Sequence, residues 1–134
     1  MNIITVTLNP AFDMHCYTED FQPFHENLAK ITACEAGGKG INISRALTVN
    51  GVDNVALAVV GEENEDAFIK SLRADKMDVR SIRWSGRIRE NITLHTNNAP
   101  ETRISFSGFV ADDSLVEIVE KELEVLTDGD TVLT

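Results

Sequence analysis

The sequence predicts an α/β fold: the N-terminal part of a doubly wound parallel sheet, accompanied by a small antiparallel β lid. Three observations carry this. The first 76 residues run strand, glycine-rich loop, helix, strand, helix, an order that builds parallel sheets with helical crossovers. Val55–Val60 is a nearly continuous apolar run, as expected of a strand buried on both faces. Between Val79 and Gly108 the apolar period changes to two, the mark of strands with one dry and one wet face.

Taken in order, Ile3, Ile4, Val6 and Leu8 form a first strand that ends at Asn9-Pro10, a turn signal. Asp13 follows that turn, where loops at the carboxyl ends of strands line the crevice of an open α/β sheet. Two short mixed stretches, 14–18 and 28–35, read as edge or lid strands. Ala36-Gly37-Gly38-Lys39-Gly40 then opens a helix over 41–50 that stops at Gly51, a residue suited to a helix C-terminus. After the strand over 54–60, an acidic first turn (Glu62, Glu63, Glu65, Asp66) and the stripe Phe68, Ile69, Leu72 predict a helix over 62–74. Ile82 and Trp84, then Ile88, Ile92 and Leu94, then Ile104 and Phe106 alternate with polar residues across turns at Ser85-Gly86 and 97–100. A last helix over 112–126 is capped by Asp112 or Asp113, and 131–134 begins another buried strand. The expected division is core at about 1–10, 36–76 and 109–134, and lid at about 11–35 and 79–108. The halt inside a strand leads us to expect a truncated domain.

With 134 residues, 43% of them hydrophobic, the chain has the bulk of one globular domain. It contains no run of eighteen apolar residues and no secretion signal at its start, so a cytoplasmic protein is expected. Cys16 and Cys34 form no C-x-x-C, and His15, His25 and His95 make no metal-ligand spacing with them; reduced thiols and no metal follow. A net charge of −10 opposes attraction to nucleic acid or anionic membranes. Yet from Lys70 to Arg103 eight basic residues face four acids, a local +4 that leaves −14 elsewhere. Most of these cations read as a solvated face, with one or two left to serve a phosphate.

The chemistry concentrates in Gly37-Gly38-Lys39-Gly40-Ile41-Asn42. A helix start offers unpaired N–H groups and a positive dipole end, and glycines let a ligand approach the backbone. A lysine there is electrostatically misplaced unless an anionic or richly hydroxylated ligand lies nearby. Asn42, three residues on from Lys39, shares its helix face. The run matches neither the Walker A loop nor the dinucleotide fingerprint, and a flexible glycine turn before an ordinary helix is the other reading.

Residues 36–47, A-G-G-K-G-I-N-I-S-R-A-L, resemble the first signature of the PfkB (ribokinase-like) carbohydrate kinases. Residues 7–13, T-L-N-P-A-F-D, resemble the opening of the branch comprising the 1-phosphofructokinases and tagatose-6-phosphate kinases, and Arg89-Glu90-Asn91 resembles its T-R-x-N. The resemblance implies a ribokinase-like fold and ATP- and Mg2+-dependent phosphorylation of a sugar phosphate, first of all fructose 1-phosphate to fructose 1,6-bisphosphate, with tagatose 6-phosphate as the alternative acceptor. It implies that Asp13 accepts hydrogen bonds from sugar hydroxyls, that Gly37, Gly38 and Lys39 line the pocket, that Asn42 and Asn91 contact the sugar, and that Arg89 holds the substrate's phosphate. It also implies a homodimer paired through the lids. The family's catalytic aspartate sits in a G-A-G-D motif that residues 1–134 lack, so this chain alone is expected to bind the acceptor without catalysing transfer. Leu28 departs from the branch, which has a basic residue there, and Lys30 stands two positions on. A non-catalytic sugar-phosphate-binding or dimerisation module, and a kinase for an unphosphorylated sugar or nucleoside, are the competing expectations.

Overall fold

The computed structural model describes residues 2–134. Its first strand, β1 (Ile3–Thr7), buries Ile4, Thr5, Val6 and Thr7 because it lies inside a sheet covered on both sides. β4 (Val55–Gly61) pairs parallel with one edge of β1 and β8 (Thr131–Leu133) with the other; β5 (Val79–Trp84) lies parallel outside β4, giving the order β5-β4-β1-β8. Alternate residues of β4 serve opposite faces. Ala56, Ala58 and Val60 pack with Ile41, Phe68 and Leu72 from helices α1 (Lys39–Val49) and α2 (Glu65–Ala74). Leu57 and Val59 pack with Leu115 and Val119 from α3 (Asp113–Leu123). Helices therefore cover both faces of the sheet, as expected of a doubly wound arrangement.

A second sheet has the order β3-β2-β6-β7, formed by β2 (Ala11–Tyr17), β3 (Lys30–Gly37), β6 (Arg89–His95) and β7 (Thr102–Ser105). Two expectations are corrected here. The sheet is mixed: β2 pairs antiparallel with β3, but β2 and β6 are parallel. β2 continues β1 and β6 continues β5 across short connections. Because β1 and β5 run the same way in the first sheet, their continuations run the same way in the second. Residues 79–84, expected in the lid, belong to the parallel sheet as β5. Ile82 is buried there, with Arg80, Ser81 and Arg83 exposed, so a half-covered edge strand produces the same alternation as an antiparallel one.

Helix boundaries follow local chemistry. Helix α1 ends before Gly51, whose φ of 73° takes the chain out. The start of α2 is delayed to Glu65 because Asn64 spends its side chain elsewhere: its Oδ1 accepts from the Ile88 N–H at 2.8 Å and its Nδ2 donates to the Ile88 carbonyl at 3.0 Å. The Asp112 carboxylate caps α3, accepting from the N–H groups of Ser114 and Leu115.

Asp130 pins β8 to the chain start. It accepts from the Thr127 N–H at 3.0 Å, and from the backbone and side chain of Asn2 at 2.7 and 3.0 Å. These bonds, the Thr127 N–H first, hold its carboxyl down to about 2 from the ordinary 3.8. A lowered folded-state pKa contributes stability above the unfolded value, and that contribution is lost as pH falls through about 2. Asp130→Asn is therefore expected to melt slightly below wild type at neutral pH, with the two melting curves converging near pH 2. Thermal denaturation followed across pH checks this.

Candidate functional site

The carboxyl ends of the parallel strands open onto a hollow where β1 gives way to β2 and β3 gives way to α1. Register does the first part of the assembly. In the parallel β2–β6 pair Asp13 stands opposite Asn91, and Asn91 Nδ2 donates to Asp13 Oδ1 at 2.8 Å. In the antiparallel β2–β3 pair Ala11 stands opposite Gly37. A Cβ on Gly37 would lie 3.3 Å from Asp13 Oδ2 and 3.8 Å from Asn42 Oδ1. Asp13, Gly37, Asn42 and Asn91 thus meet at one spot, with Oδ2 of the carboxylate accepting no hydrogen bond among the described residues.

Gly38 and Gly40 do different work from Gly37. Gly38 has φ 140° and a Cβ there would meet Thr7 Cγ2 at 2.6 Å; one on Gly40 would meet Thr7 Oγ1 and the Val6 carbonyl oxygen at 2.6 Å. Their missing side chains seat the start of α1 directly on the end of β1. No side chain caps this helix start and no acidic residue lies in its first turn, so the positive end of the dipole is left for something else.

Lys39 and Arg89 face a common cavity of about 350 Å3, lined also by Thr7, Leu8, Asn9 and Gly40. Arg89 borders an adjoining hollow of about 690 Å3 as well, together with Asn91 and Ser105, which links the cationic pair to the carboxylate cluster. The arginines of β5, β6 and the turn between them separate cleanly. Arg80 pairs with Glu122, Arg83 with the partly buried Glu65, and Arg87 with Glu63 and Glu90, pairs with about half or more of each arginine side chain in solvent and so of small worth. Arg89 has no carboxylate partner among the described residues, and its Nε is buried without any hydrogen bond. A buried donor in that state is one that a water or a bound group can satisfy.

Of the seven residues expected at the site, Lys39, Arg89 and Asn91 line these hollows, Asp13, Gly37 and Asn42 cluster with Asn91 by contact, and Gly38 packs against the end of β1. Sequence reasoning missed Thr7 and Asn9, read as strand and turn, and Arg45, whose Nη1 donates to Asn42 Oδ1 at 3.0 Å. The i, i+3 helix spacing of Asn42 and Arg45 was the available signal. Both thiols are free; that of Cys34 is raised by burial, then by Glu90 and Asp13, which disfavours the nucleophilic thiolate. No helix of the described residues is long and apolar enough to cross a membrane.

A family model described as pfkB family carbohydrate kinase matches residues 7–132. The chain is 33% identical over 107 residues to 1-phosphofructokinase of Escherichia coli, covering 80% of this chain and 34% of that protein. It is 32% identical over 131 residues to 1-phosphofructokinase of Bacillus subtilis, covering 98% and 43% respectively. A Staphylococcus aureus crystal structure, described provisionally as a phosphofructokinase, superposes with a TM-score of 0.85 at 32% identity, covering 97% of this chain and 42% of that one. The chain thus spans between a third and a half of the length of the relatives it matches.

Proposed function

The chain belongs to the pfkB family of carbohydrate kinases, and from that premise we propose that it forms the acceptor-binding part of an ATP-dependent sugar-phosphate kinase acting on fructose 1-phosphate. One observation carries the reading: Arg89, with its buried and unpartnered Nε, shares a cavity with Lys39 beside the Asp13–Asn91 pair. A guanidinium and an ammonium suit a phosphate. A carboxylate with an open oxygen suits the hydroxyls of a sugar, since it can only accept. Tagatose 6-phosphate meets the same demands and is the second acceptor to test.

The described residues contain no group of three His, Cys, Asp or Glu side chains able to hold a metal ion. In the whole enzyme Mg-ATP supplies the phosphoryl group, and the catalytic base lies outside residues 1–134. By the same reading the enzyme is cytoplasmic and pairs as a homodimer through its second sheet, where Ile31 and Ile104 are exposed, as is Phe106 just past β7. Light scattering that finds only monomer at high concentration would contradict the pairing.

Calorimetric titration of the chain with fructose 1-phosphate and with fructose tests the assignment. The phosphate ester is expected to bind about tenfold or more tightly, as the charge-assisted bonds of Arg89 warrant. Arg89→Gln should erase most of that preference. Equal affinity of the wild type for the two sugars would remove Arg89 from the role and leave the assignment without its support.

A further inference from the structure

We infer that Arg45 is a positioning residue for the sugar site, acting through Asn42. Its guanidinium is held at all three nitrogens: Nε to Asp75 Oδ2 at 2.9 Å, Nη2 to the Ala36 carbonyl at 2.5 Å, and Nη1 to Asn42 Oδ1 at 3.0 Å. Those partners lie on separate elements. Ala36 precedes Gly37 at the end of β3, Asp75 is the residue at the C-terminus of α2, and Asn42 is in the first turn of α1.

An asparagine amide can turn over, presenting either its oxygen or its NH2 group to a ligand. Arg45 has donors only, so the bond from Nη1 forces Oδ1 toward it and leaves Nδ2 as the end available to a ligand. Asn42 Nδ2 makes no hydrogen bond among the described residues, and Asn42 is exposed. Asn42 Oδ1, the oxygen Arg45 holds, and Asp13 Oδ2 both border Gly37, 3.8 and 3.3 Å from where a Cβ would lie. Fixing Oδ1 fixes the amide plane near that carboxylate oxygen, and with it the Nδ2 donors that a hydroxyl can use. Asp75 and the Ala36 carbonyl keep the guanidinium from swinging away. A lysine in its place has one point of attachment where arginine has a planar fork of three.

As a stability element the Arg45–Asp75 pair is minor, because both side chains are substantially solvated. Its value lies in orientation, and the test must separate the two. The inference rests on the proposed sugar site, but its structural half can be read without any ligand. In two-dimensional NMR of the chain, the side-chain amide signals of Asn42 should shift and lose order in Arg45→Met. Titration with fructose 1-phosphate should show Arg45→Met binding about tenfold more weakly than wild type, the scale of one hydrogen bond to a charged group. In an Asn42→Ala background the same Arg45 substitution should change little, since a residue acting through Asn42 has nothing left to orient. Arg45→Lys, which keeps the charge and loses the fork, should behave as Arg45→Met. Unmoved Asn42 amide signals overturn the inference, as does full recovery by Arg45→Lys or an undiminished effect in the Asn42→Ala background. Failure of the wild type to bind any phosphoketose sinks the proposed function instead, and the amide signals then decide the orienting role alone.

Discussion

Asp13→Ala is expected to lower the affinity of the chain for fructose 1-phosphate by about 100-fold or more while leaving the fold in place. Two hydroxyl bonds to a carboxylate, each worth about 1.5–3 kcal/mol, add up to that loss. The carboxylate is half-buried, one oxygen is already held by Asn91 at 2.8 Å, and the other faces Gly37 with no bond of its own. It is therefore set in place before any ligand arrives, and little of its binding energy is spent on ordering it. Stability should move little, because the Asp13–Asn91 bond is one cross-strand contact in a β2–β6 ladder of seven registered pairs. Asp13→Asn is the sharper variant. An amide retains the shape but offers one acceptor: either that acceptor turns inward to the Asn91 NH2, away from the sugar, or the Asn91 amide turns over to accept from the new NH2, and in both cases the charge is lost. Calorimetry alongside thermal melting distinguishes the outcomes: unchanged affinity in a folded Asp13→Ala chain would exclude the carboxylate from the site.

The parts of this arrangement that could be read along the chain are those fixed by local pattern. β1 and β4 declared themselves as apolar runs because both faces of their sheet are covered, and α3 by its capping Asp112 and its apolar stripe. The strand direction in the second sheet is not a local property. β2 and β6 are parallel because β1 and β5 deliver them from the same end of another sheet, and no period within residues 11–17 or 89–95 encodes that. β5 was misplaced for a related reason, since an edge strand of a parallel sheet is wet on one side and alternates like a hairpin strand.

The site shows the same division. Glycines at 37, 38 and 40 announce that something comes close to the backbone, but not what: for Gly37 it is the Asp13–Asn42 pair, and for Gly38 and Gly40 it is the end of β1. Arg89 is one of eight basic residues between 70 and 103 in the sequence. Only the placement of Glu63, Glu65, Glu90 and Glu122 in space shows which of its neighbours are already satisfied.

Gly40→Ala should be among the most destabilising single substitutions in the chain, costing about 3 kcal/mol or more. Two effects oppose each other. Alanine in place of glycine inside a helix gains about 1 kcal/mol of propensity. Against that, the new Cβ would sit 2.6 Å from both the Val6 carbonyl oxygen and Thr7 Oγ1, and 2.9 Å from the Val6 carbonyl carbon. Two of those three atoms are backbone, so no rotamer change relieves the contact. Nor can β1 retreat, for it is clamped between β4 and β8. The helix must lift instead, and Ile41 and Ser44, both fully buried, lift with it. The clash wins because it acts on packed backbone, whereas the propensity gain is a property of an isolated helix. Gly51→Ala is the comparison: its Cβ meets nothing within 4 Å and its cost comes only from a φ of 73°, about 1–2 kcal/mol. Urea denaturation should therefore place Gly40→Ala well below Gly51→Ala in midpoint. The reverse order would mean that α1 does not rest on β1 as described, and the pocket built on that contact would have to be drawn again.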